Sequence, residues 1–428
     1  MGSIETARVP GDLQGQPRRV PTTRITWRHT FRALRHRNYR LFFYGQLVSL
    51  IGTWMQQTAM SWLVYEITGS KFLLGAISAV GSAPMMIFAL WGGALADRYP
   101  KRSILIVTQV VEMFFAFALA AAVWSGHATT TLIMWIAALN GVALGFEMPA
   151  RQAFTVEMTS REDLLNAISL NSSIFNGARI VGPAVAGALI ATIGTAMCFC
   201  LNGVSFLAVI AGYFLMDVRH ARTSEEVEER HWLSGIRYAV GHPRVRTILS
   251  LFGIVGVFGW SYAVLMPAYA RDVLHLGPNG YGVLMSASGI GALVGGLSVA
   301  TFGHTITPRK MAFAGLYLFA VSVIGLAATS NFYLALGCLV VSGFGMLLFF
   351  STSNTVLQTI VPDDMRGRVM GVWSLIFGAM IPIGSLEAGI VAKWFGTPAA
   401  LILGAIVCAL TALVTRIIIA RRDAPVTT

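Results

Sequence analysis

Charged residues are scarce in this chain. Only 12% of its 428 residues are Asp, Glu, Lys or Arg, against about 25% in a typical soluble domain. Apolar residues make up 55%, and the mean hydropathy is +0.68. Leu41–Tyr65 and Phe72–Ala96 carry no charge at all, and each is longer than the roughly 20 residues that cross a bilayer. The composition excludes an ordinary soluble domain and predicts an all-α membrane protein.

The chain also lacks the common signatures of enzymes. It contains no G-x-x-x-x-G-K-[ST] phosphate loop, no H-E-x-x-H and no G-x-S-x-G, so an ATP-driven pump or a hydrolase is not expected. The four cysteines all fall in apolar spans and predict neither a disulfide framework nor a metal site. We therefore expect no enzymatic activity, no cofactor and no bound metal.

Twelve membrane spans are predicted, six on each side of a charged stretch at 217–246. They lie near 41–65, 72–96, 103–124, 129–148, 164–193, 195–216, 247–270, 279–303, 310–330, 332–360, 368–392 and 396–416. The predicted domains are a tail (1–38), a six-helix bundle (39–217), a central loop (218–246), a second six-helix bundle (247–416) and a tail (417–428). Thr26–Arg40 fits either an amphipathic helix on the membrane surface or a basic flank of the first span.

The basic residues are distributed by topology. Both tails and the even-numbered connections between spans hold 27 of the 31 Lys and Arg residues. Since cytoplasmic segments carry the excess of Lys and Arg, both termini and the central loop are predicted to be cytoplasmic. The net charge of +12 is therefore explained without nucleic acid binding.

The two halves of the chain are related to each other. With a shift of 201 residues, SREDLLNAISLNSSIFNGA lies over VPDDMRGRVMGVWSLIFGA, and Gly177-Ala178 meets Gly378-Ala379. Two parallel repeats of six helices, with a binding site where they meet, are typical of secondary transporters.

The loop Gly93–Arg102, GALADRYPKR, resembles the G-x-x-x-D-R-x-G-R-K signature of the major facilitator superfamily, with Pro100 at the usual glycine. The resemblance implies the major facilitator fold, with twelve helices in two pseudo-symmetric halves, and a cytoplasmic gate that closes and opens. It implies a helix-packing glycine, an acidic residue and basic residues at Gly93, Asp97, Arg98, Lys101 and Arg102. Arg151, with Glu147 and Glu157, is expected to belong to the same gate.

Three longer segments, Asn38–Gly69, Met148–Gly187 and Asn354–Gly389, are similar to the transmembrane secretion effectors, the branch related to the enterobactin exporter. That resemblance implies export of a siderophore, drug or secondary metabolite from a bacterial cell through the inner membrane. Proton antiport with alternating access would supply the energy. The fifth span carries Gly177, Gly182, Pro183 and Gly187, which resemble the G-P-x-x-G-G motif of antiporters with a different spacing.

Arg179 is the central candidate for substrate or coupling contacts. It lies about 22 Å along the fifth span at about 1.5 Å per residue, and a cation at that depth usually faces a wet cavity or a partner. Two interpretations stay open: contact with an anionic substrate or coupling carboxylate, or a structural ion pair between helices. Asn176 lies one turn away.

Other polar residues in the spans are candidates of the same kind. Glu112 and Glu387 could carry protons, and either could instead support a hydrogen bond. Of Gln56 and Gln57, one could face a cavity while the other bonds a neighbouring helix. Asn354 of the tenth span is either cavity-lining or an interhelical contact.

The expected partners are a small-molecule substrate and the lipid bilayer, and the expected state is a monomer. Two alternatives to export remain: a proton-coupled importer, and a receptor or scaffold that no longer transports. The short loops disfavour a receptor, and the antiporter-like fifth span favours export.

Overall fold

The computed structural model describes residues 31–160, 162–217 and 232–423, and the predicted tails and much of the central loop lie outside them. After a 3₁₀ turn at Arg32–Arg35, these residues form fourteen α-helices. In chain order they are α1 (Arg37–Thr68), α2 (Lys71–Arg98), α3 (Lys101–Trp124), α4 (Thr130–Met158), α5 (Leu164–Ile193), α6 (Thr195–Leu215), α7 (Trp232–Gly241), α8 (Pro243–Gly259), α9 (Ser261–Asp272), α10 (Pro278–Phe302), α11 (Pro308–Ala327), α12 (Phe332–Ile360), α13 (Asp363–Phe395) and α14 (Thr397–Asp423).

The helices confirm the predicted all-α membrane fold. Within the described ranges, eleven segments are long and apolar enough to cross a bilayer, with α8 and α9 together forming one of them. The helix α1 is not among the eleven, although its 32 residues exceed the roughly 20 that are needed. Its many polar residues, including Gln46, Gln56 and Gln57, lower its hydropathy, and they lie where α1 packs along α5 and α6.

Three local features differ from the sequence expectations. The seventh span is interrupted at Trp260, where the Ala263 amide donates to the Trp260 carbonyl at 3.2 Å, a tighter turn than an α-helix makes. The predicted central loop contains α7, and Gly235 of α7 packs closely on the Arg368 backbone of α13. Thr26–Arg40 is not one continuous helix over its described part, because extended backbone at His36 separates the 3₁₀ turn from α1.

The described helices pack as two groups that meet along two helix pairs. Helices α1–α6 pack mainly on one another, as do α8–α14, and the strongest contacts between the groups are α2 with α13 and α5 with α10. The shift of 201 residues relates α5 to α13, and so the two pairs occupy equivalent positions in the repeat. We name the end that carries Asp97–Arg102 the motif end, and the end that carries the Gly69–Ser70 turn the far end.

At the motif end, the segment before α1 is tied to the start of α5. The Asp163 carboxylate forms an ion pair with the Arg32 guanidinium at 2.7 Å and accepts a hydrogen bond from the His36 ring at 2.8 Å. The hydrogen bond from His36, more than any other contact, lowers the pKa of the Asp163 carboxyl below its usual range. The contacts of the ionised Asp163 carboxylate with Arg32 and His36 are therefore present at and above the ordinary Asp pKa. They are lost only as the pH falls through the lowered pKa of Asp163.

Candidate functional site

A cavity of about 80 Å³ lies between the two groups of helices. We call it the central cavity, and it has room for a few water molecules. Residues of α1, α2, α5, α9 and α10, together with Trp260 between α8 and α9, form its wall. They are Trp54, Gln57, Thr58, Ser61, Leu74, Ser78, Arg179, Pro183, Trp260, Tyr262, Ala263, Val264, Tyr281, Met285 and Ser288.

The wall combines aromatic faces with hydroxyl groups. Trp54, Trp260 and Tyr281 present rings to the central cavity, and the Tyr262 and Ser288 hydroxyls hydrogen-bond each other at 2.9 Å. Aromatic rings offer apolar contact and, for cations, an attractive face. Such a wall suits a ligand that has both apolar rings and polar groups.

Arg179 contributes a positive charge to the wall of the central cavity. The side chain is half-buried, and its guanidinium carbon lies 5.9 Å from the centre of the Trp54 ring. Within residues 31–160, 162–217 and 232–423, no carboxylate lies within ion-pair distance of Arg179. The structural ion pair considered from the sequence is therefore not formed among the described residues, and the charge is available to a ligand.

Polar and aromatic contacts join the two groups between the central cavity and the far end. The Trp62 ring stacks on Tyr281 with centroids 5.8 Å apart. Beyond it, the Tyr65 hydroxyl donates to the Asp272 carboxylate at 2.5 Å, and the Lys71 ammonium lies 3.3 Å from the same carboxylate. These contacts close the far end across the two groups.

Glycines allow the helices to approach at this end. A Cβ added at Gly187 would lie 2.8 Å from the Pro278 carbonyl oxygen, and one added at Gly75 would lie 2.9 Å from the Gly389 Cα. Both distances are shorter than real Cβ contacts, and thus only glycine permits this packing. At the motif end, a Cβ added at Gly93 of α2 or Gly371 of α13 would meet no atom within 4 Å, so neither glycine forms a close helix contact there.

A cleft of about 490 Å³ opens at the motif end beside α4 and α5. We call it the motif-end cleft, and it is lined by Gln152, Thr155, Val156, Leu164, Ile168, Asn171, Ser172, Phe175 and Asn176. Close packing at the far end and a cleft at the motif end are the arrangement expected of a transporter open on a single side.

A family profile described as transmembrane secretion effector matches residues 28–425. The chain belongs to the transmembrane secretion effector family. This secretion effector is a multi-pass membrane transporter of the major facilitator superfamily, as its sequence predicted, and it is not an enzyme.

Curated relatives cover most of this secretion effector. The staphyloferrin A transporter of Staphylococcus aureus is 24% identical and covers 83% of this chain and 90% of its own. The multidrug efflux pump Tap of Mycolicibacterium fortuitum is 26% identical over 82% of this chain and 88% of its own. The enterobactin exporter EntS of Escherichia coli is 23% identical over 79% of this chain and 81% of its own.

Solved structures share the fold at low sequence identity. A bacterial homolog of the human lysosomal transporter Spinster, solved in an inward-facing, unoccupied conformation, aligns with a TM-score of 0.72 at 12% identity. It covers 91% of this chain and 99% of its own. A bacterial homologue of the iron transporter ferroportin aligns with a TM-score of 0.65 at 17% identity, over 88% of this chain and 98% of its own.

The candidate polar residues are distributed over different surroundings. Gln57 lines the central cavity, whereas the Gln56 side chain accepts a hydrogen bond from Asn202 of α6 at 2.8 Å. Asn176 lines the motif-end cleft and donates to the Ser172 carbonyl. Asn354 accepts from Gln358 one turn later in α12.

Glu387 lies apart from the residues that line both cavities. Its side chain is half-buried on α13 near Cys408 of α14. One carboxyl oxygen is buried and has no hydrogen-bond partner in the described part of the chain. The structure thus places Glu387 within the second group of helices rather than beside Arg179.

The signature loop binds the first group together at the motif end. Lys101 pairs with Glu157 of α4 at 2.6 Å. Arg102 donates to the carbonyl of Phe214, in the last turn of α6, and to that of Met216, just after the helix. Asp97 and Arg98 are exposed. Asp97 does not cap α3, whose N-cap is Pro100.

The packing glycine expected at Gly93 is found one residue earlier. A Cβ added at Gly92 would lie 2.8 Å from the Phe146 Cα of α4, while Gly93 faces open space. In the fifth-helix motif, Gly182 packs on Trp54 and Gly187 on α10, but Gly177 touches nothing within 4 Å. Gly93 near the motif end of α2 and Gly177 in the middle of α5 therefore make no close helix contact in this conformation.

Arg151 lies inside the first group of helices. Its guanidinium pairs with Glu147 at 3.1 Å and donates to Gln46 of α1 at 3.3 Å. Glu112 lies beside the same Glu147. The sequence grouped Glu147 with Arg151, and their i,i+4 spacing is a signal for such a pair, but it did not indicate that Glu112 lies beside them. The far-end contact of Tyr65, Lys71 and Asp272 carried no comparable local pattern.

Proposed function

We propose that this secretion effector exports small amphipathic molecules from the cytoplasm in exchange for protons, by alternating access. The observation that carries the proposal is the Arg179 guanidinium. It stands in the wall of a cavity between the two halves with no ion-pair partner among the described residues. A cation held at membrane depth costs at least about 2.5 kcal/mol, which an anionic ligand group would offset.

The chemistry of the wall suggests the class of substrate. An anionic group would pair with Arg179, rings would pack on Trp54, Trp260 and Tyr281, and hydroxyls would face Tyr262 and Ser78. The central cavity is small, so a siderophore-sized molecule would also occupy space toward the motif-end cleft. Relatives named for staphyloferrin A, enterobactin and drugs support a siderophore, drug or secondary metabolite.

The charge distribution supports an orientation. Both tails and the even-numbered connections hold 27 of 31 basic residues, so both termini and the motif end would face the cytoplasm of a bacterial cell across its inner membrane. With its far end packed and a cleft at its motif end, the described conformation would then accept substrate from the cytoplasm. Release requires the contacts of Tyr65, Lys71 and Asp272 to break.

Transport into inside-out vesicles tests the proposal. An acidic vesicle lumen should drive accumulation of enterobactin, staphyloferrin A or a macrolide, and collapse of the pH gradient should abolish it. Uptake only into right-side-out vesicles would indicate an importer. Absence of transport for the whole probe set in both orientations would favour the receptor alternative and overturn the proposal.

The role of Arg179 is tested by comparing Arg179→Ala with Arg179→Lys. A hydrogen bond to a charged group contributes about 1.5–3 kcal/mol, so the alanine variant should lose at least about tenfold in transport. The lysine variant should retain part of it. Arg244→Ala, which removes an exposed arginine at the start of α8, is the matched control. Wild-type transport by Arg179→Ala would remove this residue from the mechanism.

A further inference from the structure

A polar cluster lies inside the first group of helices, separate from the central cavity. It joins α1, α3, α4 and α6, and Arg151 within it is about 10 Å from the motif end of α4 at about 1.5 Å per residue. We call it the acid cluster, and its members are Gln46, Gln109, Glu112, Glu147, Arg151 and Tyr213.

The acid cluster contains two carboxyl groups and one guanidinium. Arg151 pairs with Glu147 at 3.1 Å, and the Glu147 side chain is 3% exposed. The Glu112 carboxyl lies beside the Glu147 carboxyl. Two adjacent carboxylates repel each other when both are ionised, and a single guanidinium faces them. Binding of one proton, held on one carboxyl and accepted by the other, removes the excess negative charge.

Gln109 provides a second acceptor for that proton. Its amide nitrogen donates to Glu112 at 3.3 Å, and its amide oxygen is buried without a partner among the described residues. Since the two ends of an amide are assigned from their hydrogen bonds, the opposite orientation would let this oxygen accept the Glu112 proton. A buried acceptor without a donor beside a carboxyl group indicates a proton position.

The surroundings of Glu112 supply a limited set of other charges. From α4 come Glu147 and Arg151, and from α6 comes the Tyr213 hydroxyl. Gln46 of α1 accepts from Arg151 and reaches the Tyr213 hydroxyl at 3.5 Å. Since one guanidinium faces two carboxyl groups, loss of the shared proton leaves one uncompensated negative charge.

The acid cluster borders the motif-end cleft. Gln152, the residue after Arg151, lines the cleft, and so does Thr155, whose hydroxyl donates to the Arg151 carbonyl at 2.9 Å. The cleft wall therefore includes the turn of α4 that carries Arg151. On the other side, α1 continues from Gln46 to Gln57 in the central cavity.

We propose that Glu112 and Glu147 form a shared proton-binding site, positioned by Arg151, that couples proton flow to transport. This inference rests on the proton antiport proposed above. In the releasing step, the O–H bond of the protonated carboxyl breaks and its proton passes to a water molecule in the motif-end cleft. Both carboxylates then face one guanidinium, and their repulsion favours separation of α3 from α4.

Infrared titration tests proton binding without any substrate. The purified wild-type protein in lipid should show the carbonyl stretch of a protonated carboxylic acid that disappears as the pH rises. Glu112→Gln and Glu147→Gln should both remove this band, because the shared proton needs both carboxyl groups. Glu66→Gln, which changes an exposed glutamate of α1, is the matched control and should keep it.

Transport assays in proteoliposomes test the coupling, with enterobactin as the probe. The Glu112→Gln amide can donate to Glu147 as the protonated acid does, so this variant should fold and should exchange substrate at equal pH. Its accumulation driven by a pH gradient should fall at least tenfold. Glu147→Gln leaves Arg151 without its partner, and for that reason Glu112→Gln is the decisive variant.

Each outcome separates this inference from the proposed function. A band that persists in Glu112→Gln, or gradient-driven accumulation that stays at the wild-type level, overturns the proton site even if the wild type transports. If Glu387→Gln lost gradient-driven accumulation while Glu112→Gln kept it, the proton site would lie on α13 instead. A wild type that transports nothing but shows the titrating band, lost in both variants, would leave proton binding in place and refute its coupling to export.

Discussion

The glycine contact between α2 and α13 leads to a sharp prediction about conformation. A methyl group added by Gly75→Ala would overlap the Ser385 carbonyl oxygen and lie 2.9 Å from the Gly389 Cα. Backbone atoms cannot move aside as a flexible side chain can. The substitution must therefore push α2 away from α13 at the far end, where the two groups of helices meet.

The size of the effect follows from the packing. Overpacking a close contact costs about 1–3 kcal/mol, which shifts a two-state equilibrium about 5-fold to 150-fold. The gain in helix propensity from glycine to alanine, about 1 kcal/mol, applies to both conformations and cancels. We expect Gly75→Ala to lower the population that is closed at the far end by this factor.

Gly93→Ala on the same helix is the matched control. Its added Cβ meets no atom within 4 Å, and so it should leave the described conformation unchanged. Distances between spin labels report both ends of the transporter in a cysteine-free background: Ser125 with Ser330 at the far end, and Tyr99 with Thr305 at the motif end. All four positions are exposed.

Gly75→Ala should lengthen the Ser125–Ser330 distance and shorten the Tyr99–Thr305 distance. Gly93→Ala should not lengthen the Ser125–Ser330 distance. If both variants gave the wild-type distance distributions, the close packing of α2 on α13 would not control which end is open, and the reasoning would be refuted.

Three further predictions concern single contacts. Asp272→Asn should lengthen the far-end distance between the same labels. Because the ion pair is partly exposed, the equilibrium between the closed and open far end should shift by less than about 1 kcal/mol, and an unchanged distance would contradict this prediction. Asp163→Asn should speed tryptic cleavage before α1 at neutral pH. In the wild type, the protection of the same segment from amide hydrogen exchange should be lost only below the ordinary Asp pKa of about 3.9, since the His36 hydrogen bond lowers the pKa of this carboxyl. The Cβ added by Gly182→Ala would lie 2.5 Å from the Trp54 Cβ, and this variant should lower the free energy of unfolding by about 1–3 kcal/mol. Gly177→Ala should not lower it. Equal stabilities of the two variants would disprove the packing argument.

The sequence predicts the lengths of the membrane helices but not how they rotate against one another. The apolar lengths predicted most of the spans within a few residues, because a bilayer demands about 20 apolar residues for each crossing, but α4 continues to Met158, ten residues beyond the predicted 129–148. The central depth of Arg179 also followed from counting residues along α5. Its position in the wall of a cavity required the rotation of α5 against α1 and α10, which no count along one helix contains.

Adjacent residues of the same type can lie in different surroundings. Gln56 and Gln57 are identical in type and adjacent, yet one bonds Asn202 and the other lines the central cavity. Gly92 and Gly93 differ in the same way, since only Gly92 packs on α4. Successive residues on a helix point about 100° apart, and only the arrangement of the neighbouring helices decides which direction is buried.

Composition and the apolar lengths by themselves determined an all-α membrane protein, because burial in a bilayer acts on each helix separately, and the internal similarity indicated two repeats. The tertiary structure alone decided which polar groups meet. It brought Glu112 beside the Glu147–Arg151 pair, joined Tyr65 and Lys71 to Asp272, and left Arg179 without an ion pair within the described residues. Contacts between residues that are far apart in sequence depend on how helices rotate and cross, and those choices are made only when all the helices pack together.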